Sequence, residues 1–343
     1  MDENHGHDGL TRQSVLRLTL AAALKAAAGG TGIVAASALA HAGGTGVPAA
    51  DRATAPSDTN APPIEVASGI FVHKGEHNVY TPANGGDICN TGFIIGDESV
   101  AVIDTGGAAK VGAALAAHIR AITDRPIRFV INTHMHPDHV LGNVSFKSEN
   151  TVFLGHRKLA AALATRAERY LISSKTAIGE DKFAGTEIVL PTRGIEDSEE
   201  IDLGGRRLVL TARPTAHTDN DLTVHDPATG TLFTGDLIFS GHVPTLDGSI
   251  RGWLKLLDAL QAVPQARIVP GHGPVSMAWP AAAEPIKAYL DTIAQGVRTA
   301  IKDGRTMQQA IDTVGLSERS KWLLFEEFHA RNVSAAFAEL EWE

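Results

Sequence analysis

Cysteine is almost absent from this chain of 343 residues, which contains Cys89 and no other. A single thiol cannot form an intramolecular disulfide, so the fold is not cross-linked in that way. A zinc site built from cysteines is excluded for the same reason. Histidine, in contrast, occurs 15 times, and several of these residues lie close together.

The chain also lacks a surplus of basic residues and a long apolar run. Its 30 lysines and arginines, against 39 aspartates and glutamates, give a net charge of about −9. This balance disfavours nucleic acid or an anionic lipid surface as a partner, because both require a basic surface. No stretch of 18 apolar residues occurs, so we expect no membrane span. The partner that remains is a small-molecule substrate.

The N-terminal residues differ in composition from the rest. Residues 1–42 contain an alanine-rich apolar stretch that ends in Ala-x-Ala patterns at Ala38–Ala40 and Ala40–Ala42. This resembles a secretory signal peptide and favours a periplasmic or secreted protein. The alternative is a disordered, alanine-rich tail on a cytoplasmic protein. Residues 43–64 are rich in Gly, Pro, Ala and Thr, which predicts a linker.

From residue 65 onward the pattern predicts a mixed α/β domain. Short β-rich runs such as TGFIIGDES and SVAVIDTG end in Gly, Asp or Ser. Helical spacing follows over residues 108–122, and the apolar run IRFVIN at 127–132 suits a buried strand. Helices are expected over residues 155–172 and 252–263, and a second β-rich block lies between them. We assign residues 65–280 to one domain and residues 281–343 to helices that pack on it.

Three histidines and one aspartate lie within six residues directly after the predicted strand 127–132. They are His134, His136, Asp138 and His139, in the stretch THMHPDH. Imidazoles this close repel when protonated and bury poorly, so a metal explains the cluster better than a structural role does. A two-metal site needs more ligands than one loop supplies.

The missing ligands are available at the ends of other predicted strands. His217 follows LVLTAR, Asp236 ends LFTGD, and His272 lies in IVPGHG. Residues presented at strand ends meet at one edge of a sheet, where α/β proteins hold their ligands.

This pattern resembles the metallo-β-lactamase superfamily over roughly residues 64–280, because His-x-His-x-Asp-His is followed by His, Asp and His in that order. The resemblance implies a four-layer αββα sandwich, extended here by the C-terminal helices. It also implies two metal ions, the first held by His134, His136 and His217. Asp138, His139 and His272 would hold the second, and Asp236 would bridge them. Zinc suits these donors best, and iron or manganese remains open.

The stretches GDICNTGFIIGDESVAVIDTGG, GHRKLAAALA, AHTDNDLTVHD and LDGSIRGW resemble more narrowly the quinoprotein relay system zinc metallohydrolases and relatives found beside sulfur-oxidation genes. Members of that branch are often exported, and their substrates are poorly defined. The superfamily resemblance implies a hydrolase in which a metal-held hydroxide attacks an ester, thioester, lactone or amide-type bond. Asp138 would be both a ligand and the catalytic residue that orients this nucleophile.

Two further residues are candidates near the site. Asp104, in VAVIDTG, is placed to accept a hydrogen bond from a ligand histidine, or to be a turn carboxylate. His242 follows Asp236 by six residues and is expected either to border the substrate cavity or to face solvent. Structural or non-ligand roles are expected for Thr133, His156, His118, His225, Asn220, Asp221 and Cys89.

Alternative functions stay open at this stage. Asp236 at the bridging position argues against efficient β-lactam turnover and leaves weak activity open. A persulfide dioxygenase would use a single iron. An exported metal-binding accessory protein of a quinoprotein or sulfur-oxidation system would bind metals without turnover. The apolar residues of the C-terminal helices also leave an oligomer contact or a substrate lid open.

Overall fold

The computed structural model describes residues 61–343, so the expected signal peptide and most of the expected linker lie outside the described residues. Two β-sheets form the centre of the fold, with seven strands in the first and five in the second. The first sheet has the order β1-β2-β3-β4-β5-β6-β7. Its strands are β1 (Ile64–Ala67), β2 (Ile70–His73), β3 (Thr91–Ile95), β4 (Val100–Ile103), β5 (Ile127–Ile131), β6 (Val152–His156) and β7 (Arg193–Ile195).

The second sheet has the order β12-β11-β10-β9-β8, and only its β11–β12 pair is parallel. In the first sheet the strands β4 to β7 are parallel, so their carboxyl ends lie at the same edge. The strands of the second sheet are β8 (Ser198–Asp202), β9 (Arg207–Ala212), β10 (Leu222–Asp226), β11 (Thr231–Phe239) and β12 (Arg267–His272).

The helices cover the outer faces of both sheets. They are α1 (Ala109–Ile122), α2 (Pro137–Val140), α3 (Leu159–Ile178), α4 (Glu180–Phe183), α5 (Ile250–Gln261), α6 (Glu284–Lys302), α7 (Met307–Ile311) and α8 (Phe325–Leu340). Single 3₁₀ turns span Asn143–Phe146, Ala281–Ala283 and Leu316–Glu318. Among residues 61–343 no helix has the length and apolarity that a membrane crossing requires.

The two sheets pack face to face through alternate apolar side chains. Ile94 and Ile131 of the first sheet share one buried cluster with Leu210, Val224 and Phe233 of the second. Alternation in a strand sends neighbouring side chains to opposite faces, so each sheet has a second apolar face to cover. Burial of this apolar area is the main favourable term for such a layered core.

Helices supply the outer layers of a four-layer αββα sandwich, which confirms the expected fold class. Leu115 and Ile119 of α1 pack on the first sheet. On the second sheet, α5 buries Trp253 and Leu257, which are four positions apart and therefore on one helix face. The N-cap of α5 is Ser249, whose side chain accepts a hydrogen bond from Gly252 N.

The C-terminal helices α6 and α8 complete the layer that covers the second sheet. Ile286, Tyr289 and Ile293 of α6 belong to the same buried cluster as Trp253 and Ile268. The helical C-terminal extension is therefore part of the main core. The domain boundary at residue 280 stays a prediction.

Some expected element boundaries were wrong. The helix expected over 155–172 begins at Leu159, because residues 155 and 156 end strand β6. The helix expected over 252–263 spans Ile250–Gln261. Strands β7 and β8 had not been recognised, since β8 reads SEEID and has one buried side chain, Ile201.

Candidate metal centre

The histidine-rich stretch turns sharply where strand β5 ends. His136 has an extended backbone, and Pro137 then opens the one-turn helix α2, for which its fixed φ is suited. Asp138 and His139 lie on this helix, where a loop had been expected. The turn places His134 and His136 on one side and His139 on another. One short stretch therefore contributes side chains to two separate groups of candidate metal ligands.

The first cluster consists of three imidazoles. His136 Nδ1 lies 3.0 Å from His134 Nε2 and 3.0 Å from His217 Nε2. His217 reaches the cluster from the loop that follows β9. Ligand atoms of one tetrahedral zinc ion lie about 3.3 Å apart, given zinc–nitrogen bonds of about 2.0–2.1 Å. The three nitrogens therefore converge at nearly the separation that one ion requires.

The second cluster contains Asp138, His139 and His272, and Asp236 lies between the two clusters. Asp138 Oδ2 lies 3.4 Å from His139 Nε2 and 3.2 Å from His272 Nε2. Asp236 Oδ2 lies 3.6 Å from His134 Nε2 and 3.4 Å from both His217 Nε2 and His272 Nε2. A carboxylate with neighbours in both clusters has the position of a bridging ligand.

Asp236 does not follow a strand, as had been expected, but lies within β11. The strand is irregular there: its register to β12 shifts on either side of Gly235, which has φ +52°. A side chain at Gly235 would collide with Thr133, and one at Gly271 would occupy the place of Asp236 Oδ1. Two glycines therefore let the β11 backbone and the Asp236 carboxylate approach the cluster.

The outer ring nitrogens fix the direction of each imidazole. The Nδ1 atoms of His217 and His272 lie 2.7 Å and 2.9 Å from the carbonyl oxygens of Thr245 and Ile88. A carbonyl only accepts, so each Nδ1 carries a proton and each Nε2 is the nitrogen that faces the cluster.

Asp104 fixes the direction of His139 in the same way. Its Oδ2 lies 2.8 Å from His139 Nδ1, and its carboxylate also accepts hydrogen bonds from Thr133 N and Oγ1. Because Thr133 Oγ1 donates to Asp104, it accepts from His134 Nδ1 at 3.1 Å. Asp104 has φ +54°, an uncommon backbone for a residue with a side chain.

Asp247 completes the set, and sequence reasoning had missed it. Its Oδ2 lies 3.2 Å from His136 Nε2, which leaves His136 Nδ1 as the lone pair that faces the first cluster. Five imidazoles thus each direct one ring nitrogen to the same small volume as Asp138 and Asp236. The signal available in the sequence was an aspartate in the stretch LDGSIRGW, although nothing local connects it to His136.

Two buried atoms at the centre have no hydrogen bond: His139 Nε2 and Asp236 Oδ1. They lie 3.2 Å apart. His139 Nδ1 carries one ring proton toward Asp104. Burial opposes a second proton on this ring, but the neighbouring carboxylates outweigh it and hold the pKa of His139 well above its usual range. The position between Nε2 and the Asp236 carboxylate therefore attracts a cation, either a proton or a metal ion. The nitrogen and oxygen donors suit a divalent transition-metal ion.

Burial and charge act differently on the two clusters. Burial lowers the pKa of His217 to about 3 and holds the pKa of His134 well below its usual range. Burial also opposes protonation of His272, but the charges of Asp236 and Asp138 outweigh it and raise the His272 pKa to about 9. Without metal, the carboxylate-rich second cluster therefore attracts positive charge most strongly.

The remaining histidines differ in their relation to the site. His242 lies in the cavity wall with its ring centroid 4.7 Å from that of His272, and burial lowers its pKa to about 3. His156 ends β6 and accepts a hydrogen bond from Lys158 N, so it is structural. His118 and His225 lie on α1 and β10, apart from the clusters.

Cys89, Asn220 and Asp221 have structural positions. The buried Cys89 thiol donates to Asp138 O at 2.9 Å, and burial raises its pKa to about 12, so the thiol is neutral. Asn220 and Asp221 lie in a turn, in which Asp221 accepts hydrogen bonds from Thr218 N and Oγ1.

A cavity of about 420 Å³ opens beside the two clusters. Metal-cluster residues His136, Asp138, Asp236 and His272 line one side, and we call this side the ligand wall. Residues of α3 and α8 line another side, which we call the helical wall. Its members are Arg166, Arg169, Tyr170, Ser173, Phe328, Arg331 and Asn332.

Comparison with known proteins identifies the family. The model of the metallo-beta-lactamase superfamily matches residues 84–272. The chain is 23% identical to a linear primary-alkylsulfatase of Pseudomonas sp. (strain ATCC 19151) over 217 residues, which cover 52% of this chain and 40% of that relative. It is 27% identical to a beta-lactamase-like protein 2 homolog of Caenorhabditis elegans over 222 residues, covering 64% of this chain and 67% of the relative.

A solved structure extends the likeness to the fold. The beta-lactamase domain protein from Burkholderia ambifaria has a TM-score of 0.60 and 17% identity, and the match covers 87% of this chain and 91% of that chain. The superfamily consists of metallo-hydrolases that bind divalent metals, and the two clusters described above suit such ions. With the family model matched over more than half of its length, the chain belongs to the metallo-beta-lactamase superfamily.

Proposed function

We propose that this protein hydrolyses an ester, thioester, lactone or amide-type bond of a small molecule with two metal ions, zinc by preference. His134, His136 and His217 would hold the first ion. Asp138, His139 and His272 would hold the second, and Asp236 would contact both. The observation that carries the proposal is the direction of the five imidazoles, whose outer nitrogens are all hydrogen-bonded and whose inner nitrogens all face the same volume.

Two bound divalent ions supply Lewis acidity, which activates water and stabilises negative charge on the substrate. Other residues of the chain fix the orientation of the ligand histidines. Asp104 and Asp247 keep His139 and His136 in the required tautomers, and the carbonyls of Thr245 and Ile88 do the same for His217 and His272. Partners of this kind commonly contribute 10–100-fold to metal affinity or activity.

Asp138 is the residue we propose to orient the attacking water. Its Oδ2 faces His139 and His272, and its side chain lines the cavity. Within residues 61–343 no hydrogen bond occupies its Oδ1. That oxygen is therefore free to accept a hydrogen bond from a water molecule between the ligand wall and the substrate, which would orient this water. His242, in the cavity wall beside His272, would contact the substrate as a neutral ring.

Sulfate-ester hydrolysis is a second candidate. It is favoured by the likeness to the linear primary-alkylsulfatase, of whose length this chain spans 40%. The narrower resemblance to the quinoprotein-associated branch, the export of the protein and the preference for zinc over iron or manganese all stay predictions.

The test is a set of initial rates on protein stripped of metal and reloaded with two equivalents of zinc. The substrates are a thioester, a lactone, an aryl ester, an alkyl sulfate and a cephalosporin. We expect clear turnover of one class, abolished in His134→Ala and retained in His118→Ala, a histidine variant outside the cavity. Failure on every substrate with two ions bound would contradict the proposal. Turnover of a persulfide after iron loading would replace it with the dioxygenase, and no turnover at all would favour the accessory role.

A further inference from the structure

Three arginines reach the cavity from two helices that are far apart in the sequence. Arg166 and Arg169 lie on α3, three positions apart, and therefore on one helix face. Arg331 lies on α8, more than 160 positions later, beyond the part of the chain that the family model matches. Their convergence at the cavity that contains the metal clusters is a property of the fold and cannot be read from a local motif.

None of these guanidiniums forms an ion pair with an acidic side chain within residues 61–343. Other arginines, such as Arg157, Arg206 and Arg298, do form such pairs. The one hydrogen bond of Arg166 is to Ala162 O, on its own helix, at 3.4 Å. Three like charges at one cavity repel each other, and an oxyanion bound among them would relieve that repulsion.

The aspartates of the cavity form no ion pair with these arginines within residues 61–343. Asp138 and Asp236 belong to the metal clusters, and Asp247 is bonded to His136 and interacts with Arg166 only through longer-range charge. Two divalent cations would more than neutralise these three carboxylates. With two metal ions bound, the cavity would therefore have a positive net charge, although the whole chain has a net charge of about −9. A local field opposite to the net charge concentrates anionic ligands at the site.

The rest of the cavity wall is apolar and aromatic in part. Tyr170 lies four positions after Arg166 on the same face of α3, and Phe328 precedes Arg331 by three positions on the same face of α8. Ile88, Phe239 and Leu246 also line the cavity. A small inorganic anion would not use such surface, whereas the carbon skeleton of an organic molecule would.

We infer that the substrate is an organic anion whose carboxylate or sulfate group is bound by Arg166, Arg169 and Arg331 of the helical wall. The planar guanidinium matches both groups, because its donors form paired hydrogen bonds with two oxygens. This inference rests on the proposed function and names its substrate class. Since these contacts exist before and during the reaction, they lower KM more than they raise kcat.

The test compares matched esters on the full-length, zinc-loaded protein. One substrate is the 4-nitrophenyl half-ester of adipic acid, and the other is 4-nitrophenyl hexanoate, which has the same length without the distal carboxylate. A third 4-nitrophenyl ester, with a distal sulfate in place of the distal carboxylate, distinguishes a sulfate from a carboxylate. We expect kcat/KM for one of the anions to exceed that for the neutral ester by about tenfold or more, as for one or two charge-assisted contacts.

The variants Arg166→Met, Arg169→Met and Arg331→Met should each reduce that preference about threefold or more, chiefly through KM. Arg331→Lys should restore part of it. The control is Arg120→Met, which removes one exposed positive charge on α1 outside the cavity and should leave the preference unchanged. A wild-type ratio near one, or a ratio that the three variants do not change, would overturn the inference while the proposed function stands.

A calorimetric titration separates this inference from the hydrolase proposal. Adipate and hexanoate each offer one carboxylate to the metal centre, and they differ only in the distal carboxylate. We expect adipate, or hexanoate with a distal sulfate group, to bind the zinc-loaded protein more tightly than hexanoate, and this difference to shrink in Arg331→Met. If the difference is present in a protein that hydrolyses nothing, anion binding stands and the hydrolase proposal fails. If all three ligands bind alike, the anion site is refuted.

Discussion

The ligand wall and the helical wall of the cavity are built on opposite principles. Directly behind the ligand wall, the cluster residues His134, His139 and His217 are fully buried, and each has a fixed partner for its outer nitrogen. In the helical wall, Arg169 and Arg331 are exposed and have no ion pair within residues 61–343. A metal centre needs fixed geometry, whereas a substrate-binding face must leave its donors available. The difference indicates which side performs chemistry and which side selects the molecule.

The largest effect should come from the residue shared by both clusters. Asp236→Ala removes the carboxylate that lies 3.4–3.6 Å from ligand nitrogens of both clusters. We expect the loss of at least one ion and a fall in kcat of several orders of magnitude, because the activated water depends on both ions. Metal content and initial rates on the same preparation test this. An Asp236→Ala protein with two zinc ions and full activity would refute a bridging role.

A smaller effect should follow when a partner behind the ligand wall is changed. Asp104→Asn keeps a residue type that tolerates the left-handed backbone, but it can place an amide donor toward His139 Nδ1. We expect zinc affinity to fall about 10–100-fold. Competition with a chromophoric chelator measures this. Asp97→Asn, at an exposed carboxylate, is the matched control. Equal zinc affinities in the two variants would show that Asp104 does not support metal binding through His139.

Asn332 tests whether the two walls are independent. It lies on the helical wall, but its Nδ2 donates to Pro244 O and its Oδ1 accepts from Leu246 N, on either side of Thr245. Thr245 O in turn fixes His217. Asn332→Ala should destabilise the fold by about 1–3 kcal/mol, because the buried Leu246 N–H loses its acceptor. It should also weaken zinc binding, whereas Arg331→Met should not.

Thermal unfolding and chelator competition measure both quantities for Asn332→Ala. Unchanged zinc affinity in this variant would show that the loop keeps its position without α8, and the two walls would then be independent.

The smallest effect concerns the charge of Asp221, buried behind His217. Burial raises the pKa of Asp221 to about 8, well above the ordinary value of an aspartate. The folded state therefore retains a proton that the unfolded chain releases, so stability should decrease as pH rises from about 4 to about 8. From pH 7 to pH 8 the loss should be about 1 kcal/mol.

Asp221→Asn keeps an acceptor for Thr218 and removes this titration, so its unfolding free energy should vary less with pH than that of the wild type. Denaturant unfolding of both proteins at several pH values, in the same zinc buffer, isolates the difference. Parallel curves would show that Asp221 does not retain its proton.

Much of the ligand wall was accessible from the sequence, because its residues follow apolar strand patterns. THMHPDH after β5 and His272 at the end of β12 were predicted at sheet edges. The superfamily, the αββα fold and the hydrolase class are confirmed by the family match and the fold. Asp236 had been expected after a strand, and the prediction failed because an irregularity at Gly235 lets the strand continue past the site.

The helical wall and Asp247 were not accessible from the sequence. Asp247 contacts His136 across 111 positions from an irregular loop, so no local periodicity marks it. Arg166, Arg169 and Tyr170 have the i, i+3, i+4 spacing of one helix face, as do Phe328, Arg331 and Asn332. Such spacing is common on exposed helices. Only the packing of α3 and α8 around one cavity distinguishes these residues.

The most direct measurement of the central claim is anomalous X-ray diffraction at the zinc edge from crystals of the zinc-loaded protein. We predict two peaks per chain. One should lie about 2.0–2.1 Å from nitrogens of His134, His136 and His217, and the other at such distances from His139, His272 and Asp138. Asp236 should contact both. A single peak, or two peaks away from these side chains, would contradict the account.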